Sequence, residues 1–445
     1  MWIGIIAVYY FHALHIDAPS GEVRSGPLWA AEQVDLALQY FYAFAYAITC
    51  GLAVWEGGRT RRDGVWGLAP ARSRYHVAAR TLAPVVAAGW TMLGLPVVMR
   101  MIETRLVPSL AALTPLLMAM GIVVAWSVIG YALGHVTPRV VSAPLSASLV
   151  FYVIAWSQTY DDPTWPRHLL GQLDTSVAFG EYFAAPAVGL PLVFAAAAAL
   201  AVAAWWLPVG RRRTRRVVRA ASAVVAMAVM GTCMHVANGW EPAGGPVTAG
   251  HAPATCTGSA PRVCMATTGG AVNQLERVRG EVTRSLEQLR EAGVSVSVPD
   301  MVTDQLLDGR HRTPSTPATW RLPLSALAGR QDTTSAMAAL RFASAMTAVR
   351  FPCRFPSSFD QAGSADWVVN HDAALLWATT VVDADKPYLS WRKGEYQVFA
   401  NPGEVLAKVE KRAGYARSLP RDRQAAWFRA EQAKACRLAG GGDVS

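Results

Sequence analysis

Charge is scarce in this chain, and lysine scarcer still. Only 16% of the 445 residues are charged against 52% hydrophobic, and no lysine occurs before Lys386. The formal charge of +10, from 41 Lys and Arg against 31 Asp and Glu, therefore does not describe a soluble polycation, and a nucleic-acid partner is excluded for want of an aromatic-interleaved basic surface. The missing lysines also remove the residue that reaches nucleotide phosphates in the first 385 positions, and no G-x-x-x-x-G-K-[ST] phosphate loop occurs anywhere. This chain does not hydrolyse ATP by that route. The hydrolase signatures H-E-x-x-H and G-x-S-x-G are equally absent. Ionisable residues are missing from the centres of the apolar runs, His235 near the end of the last being the main exception. Since such residues mark ion and proton pathways inside a bilayer, an ion-coupled carrier is disfavoured.

What the chain has instead is long apolar segments. A helix needs about 20 mostly apolar residues to cross the hydrocarbon core. Segments of that kind recur at 34–55, 81–99, 106–134, 140–157, 185–208 and 217–238, and a shorter one at 1–15. The first segment has no basic leader and no small-residue cleavage site, so it reads as a thin span rather than as a secretory signal. His12 and His15 at its end read as interfacial side chains, and Tyr9, Tyr10, Tyr40, Trp55, Trp205 and Trp206 as an aromatic belt. The expected fold is an all-α polytopic membrane protein of about seven spans, residues 1–238, followed by a linker at 239–255 and a mainly α extracytoplasmic domain with little β at 256–445.

Orientation follows from arginine. Arg59, Arg61, Arg62, Arg72, Arg74, Arg80 and Arg139 occupy alternate loops together with the dense cluster Arg211, Arg212, Arg213, Arg215, Arg216 and Arg219, whereas the opposite loops hold Arg24, Arg100, Arg105 and Arg167. Basic loops stay in the cytoplasm. The amino terminus is therefore expected inside, the carboxy-terminal domain outside a plasma membrane, and the cluster reads as a topology anchor aided by attraction to anionic headgroups.

Four of the six cysteines, Cys256, Cys264, Cys353 and Cys436, fall in the exported part, as disulfides do in an oxidising compartment. Cys256 with Cys264 and Cys353 with Cys436 is the expected pairing. A zinc site lacks both the C-x2-C spacing and a nearby histidine pattern. Cys50 and Cys233 lie in spans.

Val272, Leu275, Val278, Val282, Leu286 and Leu289 recur at steps of three and four, predicting a helix that stops at Gly293. The segment 294–298 alternates valine as a short strand or extended stretch would, and further helical patterns run through 334–350, 365–381, 402–415 and 421–438. The pair His371 and Asp372 reads as capping or surface chemistry at a helix start. Ser390 to Lys393 matches S-x-x-K without its companion motifs.

One loop carries more than charge. In residues 55–80, WEGGRTRRDGVWGLAPARSRYHVAAR, an acid closes one span, a glycine-containing stretch follows, and WGLAPARSR leads into the next. Together with the order of spans, this resembles the permease subunits of exporter-type ABC transporters. Their corresponding loop docks on a separate ATPase, a role that the resemblance carries onto Glu56, Gly64, Trp66, Leu68, Pro70, Ser73 and Arg74. The resemblance covers residues 1 to about 208 and implies short outer-face helices in 157–186, a second permease copy, the lipid bilayer and a separate ATPase as partners, and no cofactor in this chain. The layout with an added span and an outer domain is similar to a group of actinobacterial permease-like proteins. From another class comes a non-transporting anchor or sensor whose outer domain carries the activity. A phosphatase reporter fused after Ser445 is expected to be active only if exported, and a cytosolic signal overturns the assigned topology.

Overall fold

The computed structural model describes residues 28–68, 73–160, 162–173, 177–207, 212–241, 244–266, 274–310, 313–325, 333–349, 366–395 and 401–438. The first expected span, residues 1–15, lies outside these. Two compact units divide the chain, with described parts Leu28–His251 and Ala252–Leu438.

The first unit is helical. Its elements are α1 (Ala30–Gln39), α2 (Tyr42–Arg62), the single turn α3 (Val65–Leu68), α4 (Arg74–Thr104), α5 (Thr114–Val136), α6 (Arg139–Ser157), the short α7 (Trp165–Leu169), α8 (Ala185–Ala203) and α9 (Arg212–Ala237). Five of these, α4, α5, α6, α8 with its following 3-10 turn, and α9, are long and apolar enough to cross a membrane, and α1 with α2 makes a sixth if the bent pair counts as one. The run at 34–55 is thus not one straight rod: α1 and α2 meet at 51°. Gln33 and Asp35 of α1 are buried, and Arg100 Nε of α4 donates to Gln33 Oε1 at 2.8 Å, a polar contact that ties α1 sideways to α4.

α2 is the hub, packing against α4, α5 and α6. Its closest partner is α5, and glycine makes the approach possible. Gly130 and Gly134 of α5 are four residues apart and so share a face; a Cβ on either would collide with the α2 backbone at Cys50 or Val54. Gly57 of α2 likewise faces the Tyr131 backbone. Small residues let helix backbones come close enough for dispersion to hold them where lipid supplies no hydrophobic drive. Around the seam sit buried Tyr42, Tyr46, Cys50, Ala119, Ile122 and Val123.

Part of the expected linker is ordered. β2 (Val247–Thr248) pairs antiparallel with β1 (Tyr182–Phe183), and Ala184 N donates to Pro246 O at 3.0 Å. The loop before α8 offers an unpaired edge that this segment completes. α7 lies in the stretch where short helices were expected.

The second unit is mainly helical around a small sheet. β3 (Ala254–Thr257) pairs antiparallel with β4 (Arg262–Ala266), which pairs in parallel with β5 (Met301–Asp304), itself parallel to β6 (Thr319–Leu322). The valine alternation at 294–298 forms no strand but keeps its sidedness, with Val294 buried, Val296 and Val298 packed against the core and Ser295 and Ser297 exposed; the strand starts later at Met301. Parallel pairing requires a crossover, and α10 (Leu275–Glu291) supplies it between β4 and β5. Leu275, Val278, Val282, Leu286 and Leu289 are all buried, and Gly293 ends the helix at φ +81°. Val272 lies outside the described residues. α11 (Thr333–Val349), α12 (Asp366–Val381), α14 (Pro402–Ser418) and α15 (Arg421–Leu438) match the helical patterns, while α13 (Asp385–Glu395) was not anticipated. Val302, Trp320, Leu340, Trp377, Tyr388 and Phe428 belong to one continuous core.

Gly134→Ala should lower the melting temperature of the purified chain, with an overpacking cost of about 1–3 kcal/mol, whereas Gly94→Ala, whose Cβ meets nothing within 4 Å, should be neutral or slightly stabilising. Equal effects would mean that the α2–α5 approach does not limit stability.

Candidate functional site

The site is built where α2 stops. Three arginines in the last turn, Arg59, Arg61 and Arg62, suit the negative end of the helix dipole. Asp63 closes the helix, and Gly64 takes φ +59°, a left-handed conformation that favours glycine. The chain then forms α3, and α4 begins one residue after Ser73, whose Oγ accepts from His76 N at 3.2 Å as an N-cap.

Trp66 anchors α3. Its ring is half-buried, stacks on His135 at 4.2 Å, and lies 6.4 Å from Tyr131 and 6.1 Å from Trp206. The Arg74 guanidinium sits 5.2 Å from the Trp66 centroid, a cation–π distance. Tyr131 and Trp206 are buried and form one cluster with Ala78, Leu82 and Val85 of α4. The Thr60 hydroxyl donates to Tyr131 Oη at 3.2 Å. Trp66 thereby joins α3 to α4, α5 and the turn after α8.

Beside α3 opens a cleft of about 590 Å³ between the last turns of α2 and the first of α4. Its lining mixes apolar Val65, Pro84 and Val85 with charged Glu56, Asp63 and Arg80. Arg59, with a side chain 62% exposed, reaches Glu56 at 3.7 Å and Asp63 at 3.9 Å. Exposed pairs of this kind are worth about 0–1 kcal/mol, so a partner exchanges them readily.

Of the residues that the docking resemblance singled out, Glu56 lines this cleft, Trp66 and Arg74 form its anchor, Gly64 makes the turn before α3 and Ser73 caps α4. Leu68 closes α3, and Pro70 lies outside the described residues. Arg74 and Arg80, expected in a loop, are already on α4. His135 and Tyr131 were not singled out, and Trp206, assigned to the aromatic belt, is only 6% exposed and belongs to the core. Tyr40, Trp55 and Trp205 are exposed, as belt residues are. Nothing local in the sequence pairs position 66 with 135 and 206.

The arginine cluster divides. Arg211 is outside the described residues and Arg212 opens α9, while Arg213, Arg215 and Arg216 are exposed and Arg219 pairs with Trp205. In the second unit Cys256 and Cys264 form a disulfide across β3 and β4. The other expected pairing involves Cys353, outside the described residues; Cys436 is buried.

His371 and Asp372 are not cap or surface chemistry. Asp372 is buried in the middle of α12, with Arg392 Nη2 donating to its Oδ1 at 2.5 Å and His371 Nδ1 at 2.9 Å. Arg392 is a residue of the S-x-x-K stretch, whose Ser390 and Lys393 are exposed. This ion pair joins α12 to α13, and removing one partner of such a pair strands a buried charge. A second buried carboxylate, Asp304, ends β5 and accepts from Ser325 N at 2.9 Å, Leu306 N at 3.3 Å and Ser325 Oγ. Burial raises its pKa above the ordinary carboxylate value, the hydrogen bonds opposing the shift. Among the described residues no cluster of three or more His, Cys, Asp or Glu is arranged to hold a metal ion.

No family model, curated protein or solved structure matches this chain. Trp66→Ala should release α3 and raise the rate of tryptic cleavage among Arg59, Arg61 and Arg62 several-fold, with Trp66→Phe intermediate; unchanged cleavage of both variants would remove Trp66 as the anchor.

Proposed function

We propose that the chain is the membrane-spanning, permease-like subunit of an ABC export system, driven by a separate ATPase that docks on α3 from the cytoplasm. The observation that carries this reading is the Trp66 anchor. A free arginine-rich connector would take up a push by bending, whereas α3 is fastened through one ring to α4, α5 and the turn after α8. Closure of the ATPase would move these helices as a body, the kind of switch in which packed elements exchange two discrete arrangements. The adjoining cleft, lined by both apolar and charged side chains, suits a helix or loop of a protein partner. A second permease copy would complete the pathway, and the second unit would lie outside the membrane and bind cargo or a partner.

Purification of the full chain from its native membrane tests the reading. An ATPase subunit is expected to accompany it, and the paired substitution Glu56→Lys and Asp63→Lys should release that subunit while the chain stays folded. If no ATPase accompanies the chain, and the second unit keeps the biological activity when tethered to an unrelated single span, the chain is an anchored sensor or binding protein instead.

A further inference from the structure

Between α8 and α9 runs an open groove of about 340 Å³, whose walls include Ala197, Leu200 and Ala201 on one side and Ser222, Ala226 and Val229 on the other. It exists because residues 195–199 are all alanine, too small to fill the space between the two helices. Ser222 adds little polarity, since its hydroxyl donates to the Arg219 carbonyl at 3.0 Å. From Ser222 to Val229 the trough follows about 10 Å of helix.

One end of the trough is basic. Positions 215, 219, 222, 226 and 229 recur at steps of three and four, so Arg215 and Arg219 continue the face of α9 that lines the groove. Arg219 is held there: its Nη2 donates to Trp205 O at 3.1 Å, and its guanidinium lies 5.2 Å from the Trp205 centroid. Arg213 and Arg216 are exposed on the same turns.

We infer that this groove is a binding site for one anionic phospholipid, with an acyl chain in the trough and the phosphate on Arg215 and Arg219. A guanidinium fork matches phosphate geometry, and basic pockets between membrane helices recognise anionic headgroups. A second copy of the chain fits less well. Two copies sharing one orientation in a membrane, related by a two-fold axis, would bring their arginine ends together at the same depth, like charge against like.

Native mass spectrometry of the full chain in detergent, with phosphatidylglycerol and phosphatidylcholine of identical acyl chains, tests the site. One phosphatidylglycerol should be retained per chain with a roughly tenfold preference over phosphatidylcholine. Arg215→Gln with Arg219→Gln should abolish that preference, whereas Arg61→Gln with Arg62→Gln, which removes the same charge elsewhere, should leave it. Ala197→Phe with Ala226→Phe, filling the trough, should lower retention with every arginine in place. Equal retention of both lipids, or equal loss in the two arginine variants, would overturn the site in favour of a diffuse field. So would a wild-type dimer that the two phenylalanines dissociate, because a second chain would then occupy the groove.

Discussion

The close crossing of α2 and α5 is the contact on which the first unit depends. Gly130 and Gly134 remove the side chains that would hold the two backbones apart, and Gly57 does the same from the other helix. In lipid the apolar side chains gain nothing by leaving the solvent, so helices associate through packing and the few polar bonds they can make. α2 then holds α4 and α6 as well. Thr60 of α2 and Tyr131 of α5 bond directly just past the glycine seam.

That seam ends at the candidate docking face. Because α2 and α5 are close there, Tyr131 and His135 reach past α2 and meet Trp66 after the chain has turned at Gly64. The turn α3 is too short to be stable alone. It is ordered because one large ring is trapped among aromatic neighbours and covered by Arg74. On the proposed reading, an anchored turn and weakly paired charges beside it would be complementary: the first would pass on a displacement, and the second would let a partner bind without breaking strong contacts.

The second unit is organised by different physics. A small mixed sheet is covered by helices whose apolar faces form a single core, and the disulfide between Cys256 and Cys264 staples the antiparallel hairpin at its edge. Asp372 and Arg392 are charges inside that core, acceptable because they meet each other. Arg341 of α11 bridges to buried Glu281 of α10 at 3.1 Å in the same way. These bonds fix which helices lie side by side.

Much of this was legible in sequence wherever the signal is local. Apolar runs located α4, α5, α6, α8 and α9, and the three-and-four spacing of Val278, Val282, Leu286 and Leu289 located α10, because helix periodicity needs only neighbouring residues. The bend between α1 and α2, the burial of Trp206, and the start of the strand at Met301, beyond the alternating valines, were not legible. Each depends on a partner far along the chain. Asp372 shows the limit most clearly: beside His371 near a helix start it reads as surface, and only Arg392, brought to it by α13, makes a buried position tolerable. Sequence by itself determined which segments are helical and apolar, since hydrophobicity and backbone propensity are properties of adjacent residues. Tertiary structure alone decided which rings, charges and glycines meet, because packing is settled between residues that the chain keeps apart.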